Sequence, residues 1–146
     1  MKFRTEINLD KFQYPIEHSE KILTIGSCFA QNIGEYFKRF RFDIMCNPFG
    51  VLYNPVSILN SFKLVMENKM FTEKDLIEHN SEWHSFYHHS DFSHHDSKIC
   101  LDKINSGLKA TSKFLREVDV VIITYGTAYV YKHIAQNIIV SNLKRL

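Results

Sequence analysis

The chain has 146 residues, 45% of them hydrophobic and 14% aromatic, with five Gly and three Pro, which suits one globular domain and excludes collagen-like or low-complexity material. Its 18 Lys and Arg against 16 Asp and Glu leave a net +2, without the basic stripe of a nucleic-acid binder. No apolar run approaches the ~18 residues of a membrane span, and residues 1–10 carry charge without the apolar stretch of a secretory signal.

Residues 21–25, Lys-Ile-Leu-Thr-Ile, are β-formers ending at Gly26, apolar enough at their end for a strand inside a parallel sheet. Directly after the Gly26-Ser27-Cys28 turn, Phe29, Ile33, Tyr36, Phe37 and Phe40 recur at helical spacing, with Gln31, Asn32, Glu35, Lys38 and Arg39 opposite them. Lys38, Arg39 and Arg41 read as a solvated helix end. Residues 42–46 form a second short strand, broken by Asn47-Pro48-Phe49-Gly50. Asn54-Pro55 is a helix cap followed by proline at the first helical position, and Ile58, Leu59, Phe62, Val65 and Met66 supply that helix with an apolar face. Thr72-Glu73-Lys74-Asp75 predicts a further short helix. Periodicity then fails over residues 81–95, an irregular segment holding five of the eight histidines.

Asp96 or Ser97 caps the next helix, in which Cys100, Ile104, Leu108, Thr111 and Leu115 share one face and Gly107 is a weak point. Residues 119–124 are the strongest strand of the chain and meet Gly126-Thr127-Ala128. Residues 129–133 and 138–142 flank Ala135-Gln136-Asn137 as a hairpin. Strands alternating with helices predict an α/β layer fold with a parallel sheet. Three widely spaced cysteines, Cys28, Cys46 and Cys100, make no disulfide framework and suit a reducing cytoplasm.

Two strands thus end in glycine turns, Gly26-Ser27-Cys28 and Gly126-Thr127-Ala128, and in an open parallel sheet both lie on the carboxyl edge where ligands bind. A side chain between a strand end and a helix start is held out of that edge, and the helix dipole favours negative charge on it. Cys28 is a nucleophile of that kind, whereas Ser27 needs a base beside it. The plain alternative is that Ser27 caps the helix and Cys28 packs as a small apolar residue.

Gly26-Ser27-Cys28-Phe29-Ala30 resembles the signature of the GSCFA family, which is similar to the SGNH (GDSL-like) hydrolases. The resemblance also runs through residues 47–55, Trp83-His84-Ser85-Phe86, His88-His89-Ser90 and Gly126-Thr127-Ala128, so it covers nearly the whole chain. It implies a three-layer α/β/α, flavodoxin-like sandwich with a mostly parallel sheet, and an ester or acyl hydrolase or acyltransferase acting on a small-molecule or carbohydrate ester without a cofactor. By the same resemblance Cys28 takes the nucleophile position, Ser27 the neighbouring aspartate position, Gly50 an oxyanion-hole position, and Gly126 and Ala128 the Gly-x-Asn block. Two departures stand out: Cys replaces Ser, and Ala128 replaces the asparagine and offers only its backbone N–H.

The superfamily's C-terminal Asp-x-x-His block, which supplies its general base, is absent. Residues 1–146 therefore read as a single domain incomplete at its C-terminus and impaired in activity, with an uncovered apolar edge open to self-association. His84 and His88 are the candidate replacement bases, against the reading of an ordinary polar loop. A non-catalytic ligand- or carbohydrate-binding domain is one alternative. A metal site built from His84, His88, His89 and Asp91 is another.

Overall fold

The computed structural model describes Ile7 and residues 12–141. Most of the charged stretch 1–10, the end of the second hairpin strand at Asn142 and the closing run 143–146 lie outside the described residues. In chain order the elements are β1 (Lys21–Gly26), α1 (Cys28–Arg39), β2 (Asp43–Cys46), α2 (Pro55–Met66), β3 (Ile77–His79), β4 (Glu82–His84), α3 (Ser97–Phe114), β5 (Val120–Thr124), β6 (Tyr131–His133) and β7 (Ile138–Val140). The expected α/β fold is present. Strands β2, β1 and β5, in that order, form a parallel three-stranded sheet, and β3–β4 and β6–β7 are small antiparallel hairpins.

Central β1 is buried on both faces, with Ile22, Leu23, Thr24 and Ile25 fully covered. Alternate residues point to opposite faces: α1 packs on the side of Thr24 and Cys46, while Ile25 joins the core with Ile58 and Val65 of α2 and Cys100, Ile104 and Leu108 of α3. Helices therefore flank the sheet on both sides. Each helix begins on the side chain its sequence advertises. Ser27 Oγ accepts from Phe29 N–H at 3.3 Å, Asn54 Oδ1 from Ser57 N–H at 2.8 Å, and Asp96 Oδ1 from Lys98 N–H at 2.8 Å. At the opposite, amino edge of the sheet, Lys21 N–H donates to Asp119 Oδ2 at 2.8 Å and its ammonium bonds Glu117. That bond lifts the ammonium above its ordinary value of 10.5 and holds the Glu117 carboxyl below its own.

Four expectations need correction. In α1 the buried residues are Ala30 and Gly34, while Phe29, Tyr36 and Phe40 stand 60%, 59% and 66% exposed. The cause is close approach: a Cβ on Gly34 would lie 2.3 Å from Cys46 Sγ, so the smooth side of the helix meets the sheet and the rings flank it. In α2, Leu59 and Met66 are exposed and Ser57 and Ser61 buried in their stead. Their hydroxyls are satisfied there, Ser57 Oγ donating to Val140 O and Ser61 Oγ to Ser57 O.

Residues 77–84, partly assigned to a helix and to the irregular segment, form the β3–β4 hairpin after a single 3-10 turn at Glu73–Asp75. Asn80 and Ser81, both at positive φ, close it. Finally, β5, the strongest strand of the sequence and almost continuously apolar, lies at an edge of the described sheet, and Val121 and Ile123 remain exposed on the face away from α1. No described helix is long and apolar enough to cross a membrane.

Candidate active site at the carboxyl edge of the sheet

Gly26 closes β1 at φ +134°, and a Cβ there would lie 2.0 Å from Thr124 O, so only glycine lets the strand turn this tightly against β5. The turn delivers Ser27 inward. Its N–H donates to Thr124 O at 3.1 Å and lies 3.1 Å from Thr124 Oγ1, and its hydroxyl meets Thr124 Oγ1 at 2.8 Å. Ser27 is 5% exposed and also caps α1, so its oxygen is engaged in holding the turn. Cys28, one residue on, is the first of α1 and carries a free thiol exposed to solvent. Its backbone N–H meets no acceptor among the described residues. Geometry thus separates two residues that sequence left level.

The second glycine turn lies on the same rim. Gly126 N–H and Thr127 N–H both donate to Tyr53 O, at 2.8 and 3.1 Å, and a Cβ on Gly126 would sit 3.4 Å from Ser27 Cβ. Gly126 has therefore spent its N–H on the 53 loop. Ala128 is exposed, and its N–H meets no acceptor among the described residues.

Residues 47–55 brace this rim. Asn47 Oδ1 accepts from Gly26 N–H, Asn47 N–H donates to Thr24 O, and Leu52 N–H donates to Gly26 O, each at 2.8 Å. Gly50 N–H donates to Asn47 O at 2.8 Å, so this proton too is committed within the turn. Gly50 serves a different purpose. Its φ is +77°, and a Cβ would fall 2.2 Å from His89 Cβ, so the glycine admits His89 against the loop.

The histidines scatter. His84 sits on β4 with Nδ1 2.6 Å from Ser93 Oγ and Nε2 3.2 Å from His79 O, both nitrogens bracing the hairpin. His88 is 1% exposed, its ring packed against Phe49, Phe71 and Phe92 and its Nδ1 2.9 Å from Ser85 Oγ. His84 bonds Ser93 and His79, and His88 bonds Ser85, none of which belongs to residues 26–28 or 126–128. His94 Nδ1 accepts from Asp96 N–H and His95 Nδ1 meets Ser81 O, both structural bonds.

His89 Nδ1 likewise accepts from Asp91 N–H at 3.3 Å, capping a short turn, but it also lies 3.0 Å from Asp91 Oδ2, its backbone N–H donates to Phe49 O at 3.1 Å, and its side chain is partly exposed. In the sequence His89 stands with Asp91 nearby, both among the histidine-rich loop that could bring one imidazole near Cys28 and among the residues of the metal reading. That metal reading is not supported: among the described residues no three His, Cys, Asp or Glu side chains gather to hold an ion. The strand carrying His84, the core around His88 and the His89–Asp91 pair pull the supposed ligands apart.

No curated protein and no solved structure matches this chain. A family model described as the GSCFA family matches residues 21–146, from the first residue of β1 through both glycine turns and the loops that brace them. The rim just described is therefore part of a shared domain, and the chain belongs to the GSCFA family.

Proposed function

We propose that this rim is an acyl-transfer site in which Cys28 attacks the carbonyl of a small-molecule or carbohydrate ester. The observation that carries the reading is the division of labour at residues 27 and 28: Ser27 Oγ is buried and bonded to Thr124 Oγ1, while Cys28 alone presents its nucleophile to solvent. The thiolate adds to the carbonyl, the alcohol departs with a proton from the base, and water then hydrolyses the thioester to acid and free thiol. The unengaged N–H groups of Cys28 and Ala128 are the oxyanion donors this reading retains. Gly50 and Gly126 act as shape rather than as donors.

For the base the reading favours His89 over His84 and His88. His89 Nδ1 lies 3.0 Å from Asp91 Oδ2 and 3.3 Å from the Asp91 backbone N–H; the base role requires the tautomer in which Nδ1 donates to the carboxylate and Nε2 accepts. His89 rests on Gly50, which is tied to Asn47 and through it to Gly26. Cys28, Cys46 and Cys100 are not joined as disulfides, which favours a reducing compartment, the cytoplasm.

Incubation with p-nitrophenyl acetate, followed by mass spectrometry of peptides, tests this. One acetyl group, labile to hydroxylamine, should appear on Cys28, vanish in Cys28→Ala, and form about a hundredfold more slowly in His89→Gln. Acetyl groups confined to lysines would overturn it. Saturable binding of an ester that never acylates Cys28 would replace turnover with recognition.

A further inference from the structure

The C-terminal halves of α2 and α3 part around a cavity of about 560 Å³, a size typical of small-molecule pockets, which run to ~300–1,000 Å³. It is remote from Cys28. Helix α2 leaves the rim at Asn54 and reaches the cavity at Leu64, about 15 Å further on at the usual rise. Leu64, Val65, Met70 and Leu108 give the cleft an aliphatic floor, with Val65 and Leu108 buried in the core.

Every ionisable side chain lining it is a cation. Lys69 is held by Asp75 at 2.9 Å, whereas Lys109 and Lys113 near the end of α3 and Arg116 just past it form no close ion pair among the described residues, although the charge of Lys113 helps to hold the Glu117 carboxyl low. Asn105 is occupied on both its oxygen and its nitrogen by the backbone of Phe71, so the charged groups that meet a polar ligand are these cations, beside the neutral Asn68, Ser106 and Ser112. Both helices end here, and their terminal carbonyls oppose a dense anion such as a phosphate dianion. An aliphatic floor under cations matches one ligand class.

We propose that this cleft binds a medium-chain fatty carboxylate, its alkyl chain on the leucine and methionine floor and its carboxylate among Lys109, Lys113 and Arg116. The site is separate from the rim and does not depend on the acyl-transfer reading. Calorimetric titration of the full chain with octanoate, octanol and acetate tests it.

Octanoate should bind at one per chain, about tenfold or more tighter than either octanol, which lacks the charge, or acetate, which lacks the tail. Reversing Lys109 and Lys113 to Glu, at positions where both side chains are exposed, should weaken octanoate by about tenfold and leave octanol unchanged. Met70→Trp, at the exposed end of that floor, should block both ligands. Cys28→Ala must leave octanoate affinity intact, because loss there would put the ligand on the rim and overturn the assignment. Octanoate bound no tighter than octanol, affinity indifferent to the lysine reversals, or capture of an acidic peptide with no octanoate binding would each overturn it as well.

Discussion

The turns after β1 and after β5 carry the same kind of sequence, a glycine followed by two small residues, at the ends of adjacent parallel strands. They are built differently. At Gly26 the backbone enters a conformation closed to other residues and is clamped from three sides, by Thr124, Asn47 and Leu52. At Gly126 φ lies outside the left-handed range, and the support is Tyr53 O with the edge of a partly exposed Tyr53 ring. A helix follows the first turn, whereas the described residues after the second enter the β6–β7 hairpin. The first turn is therefore a rigid mount that aims Cys28, and the second is a compliant wall whose contribution is proximity and one unengaged N–H.

Gly26→Ala attacks the rigid turn and should have the largest effect. The added carbon meets backbone oxygen, which cannot swing aside, and the positive φ adds strain. A loss of about 3–5 kcal/mol is expected from the two together, measured by urea unfolding. A loss under about 1 kcal/mol would show the two turns to be equivalent.

Thr124→Val keeps the shape of the strand while deleting the hydroxyl that bonds Ser27 Oγ. With that half-buried partner gone and the buried Ser27 hydroxyl left without it, about 1–2 kcal/mol should be lost. Ser27→Ala removes the cap and should lose about 1 kcal/mol. Alkylation of Cys28 by iodoacetamide should persist in the Ser27→Ala variant. If it stopped, Ser27 would be doing more than holding the turn.

How far these roles were legible in sequence depends on what sets them. β1 and the caps at Ser27, Asn54 and Asp96 were legible, because continuous apolarity and a polar residue before a helix act locally. Which faces of α1 and α2 are buried was not, because contacts distant in sequence decide it: Gly34 against Cys46, and Ser57 beneath Val140. The edge position of β5 was hidden for the same reason. At the site, the two glycine turns were readable, yet the order Cys28 over Ser27 came only with the Thr124 bond. The histidines were least legible. His84, His88 and His89 occur within six positions, yet a hairpin, an aromatic core and a glycine loop give them three different surroundings.

Gly126→Ala should have the smallest effect and sharpens the contrast most. A Cβ there would come 2.7 Å from Tyr53 Cδ1, but that atom belongs to a side chain 40% exposed, which can rotate away. A stability loss below about 1 kcal/mol is expected in the urea titration, against the several lost at Gly26. The rate at which Cys28 acquires an acetyl group should fall more than stability does, since the wall would shift relative to Ser27 and carry the Ala128 N–H with it. Stability and acylation falling in equal proportion would mean that the second turn braces the fold and does not meet the reacting carbonyl. Acylation falling alone, with unfolding unchanged, would put that turn beside the bond being broken.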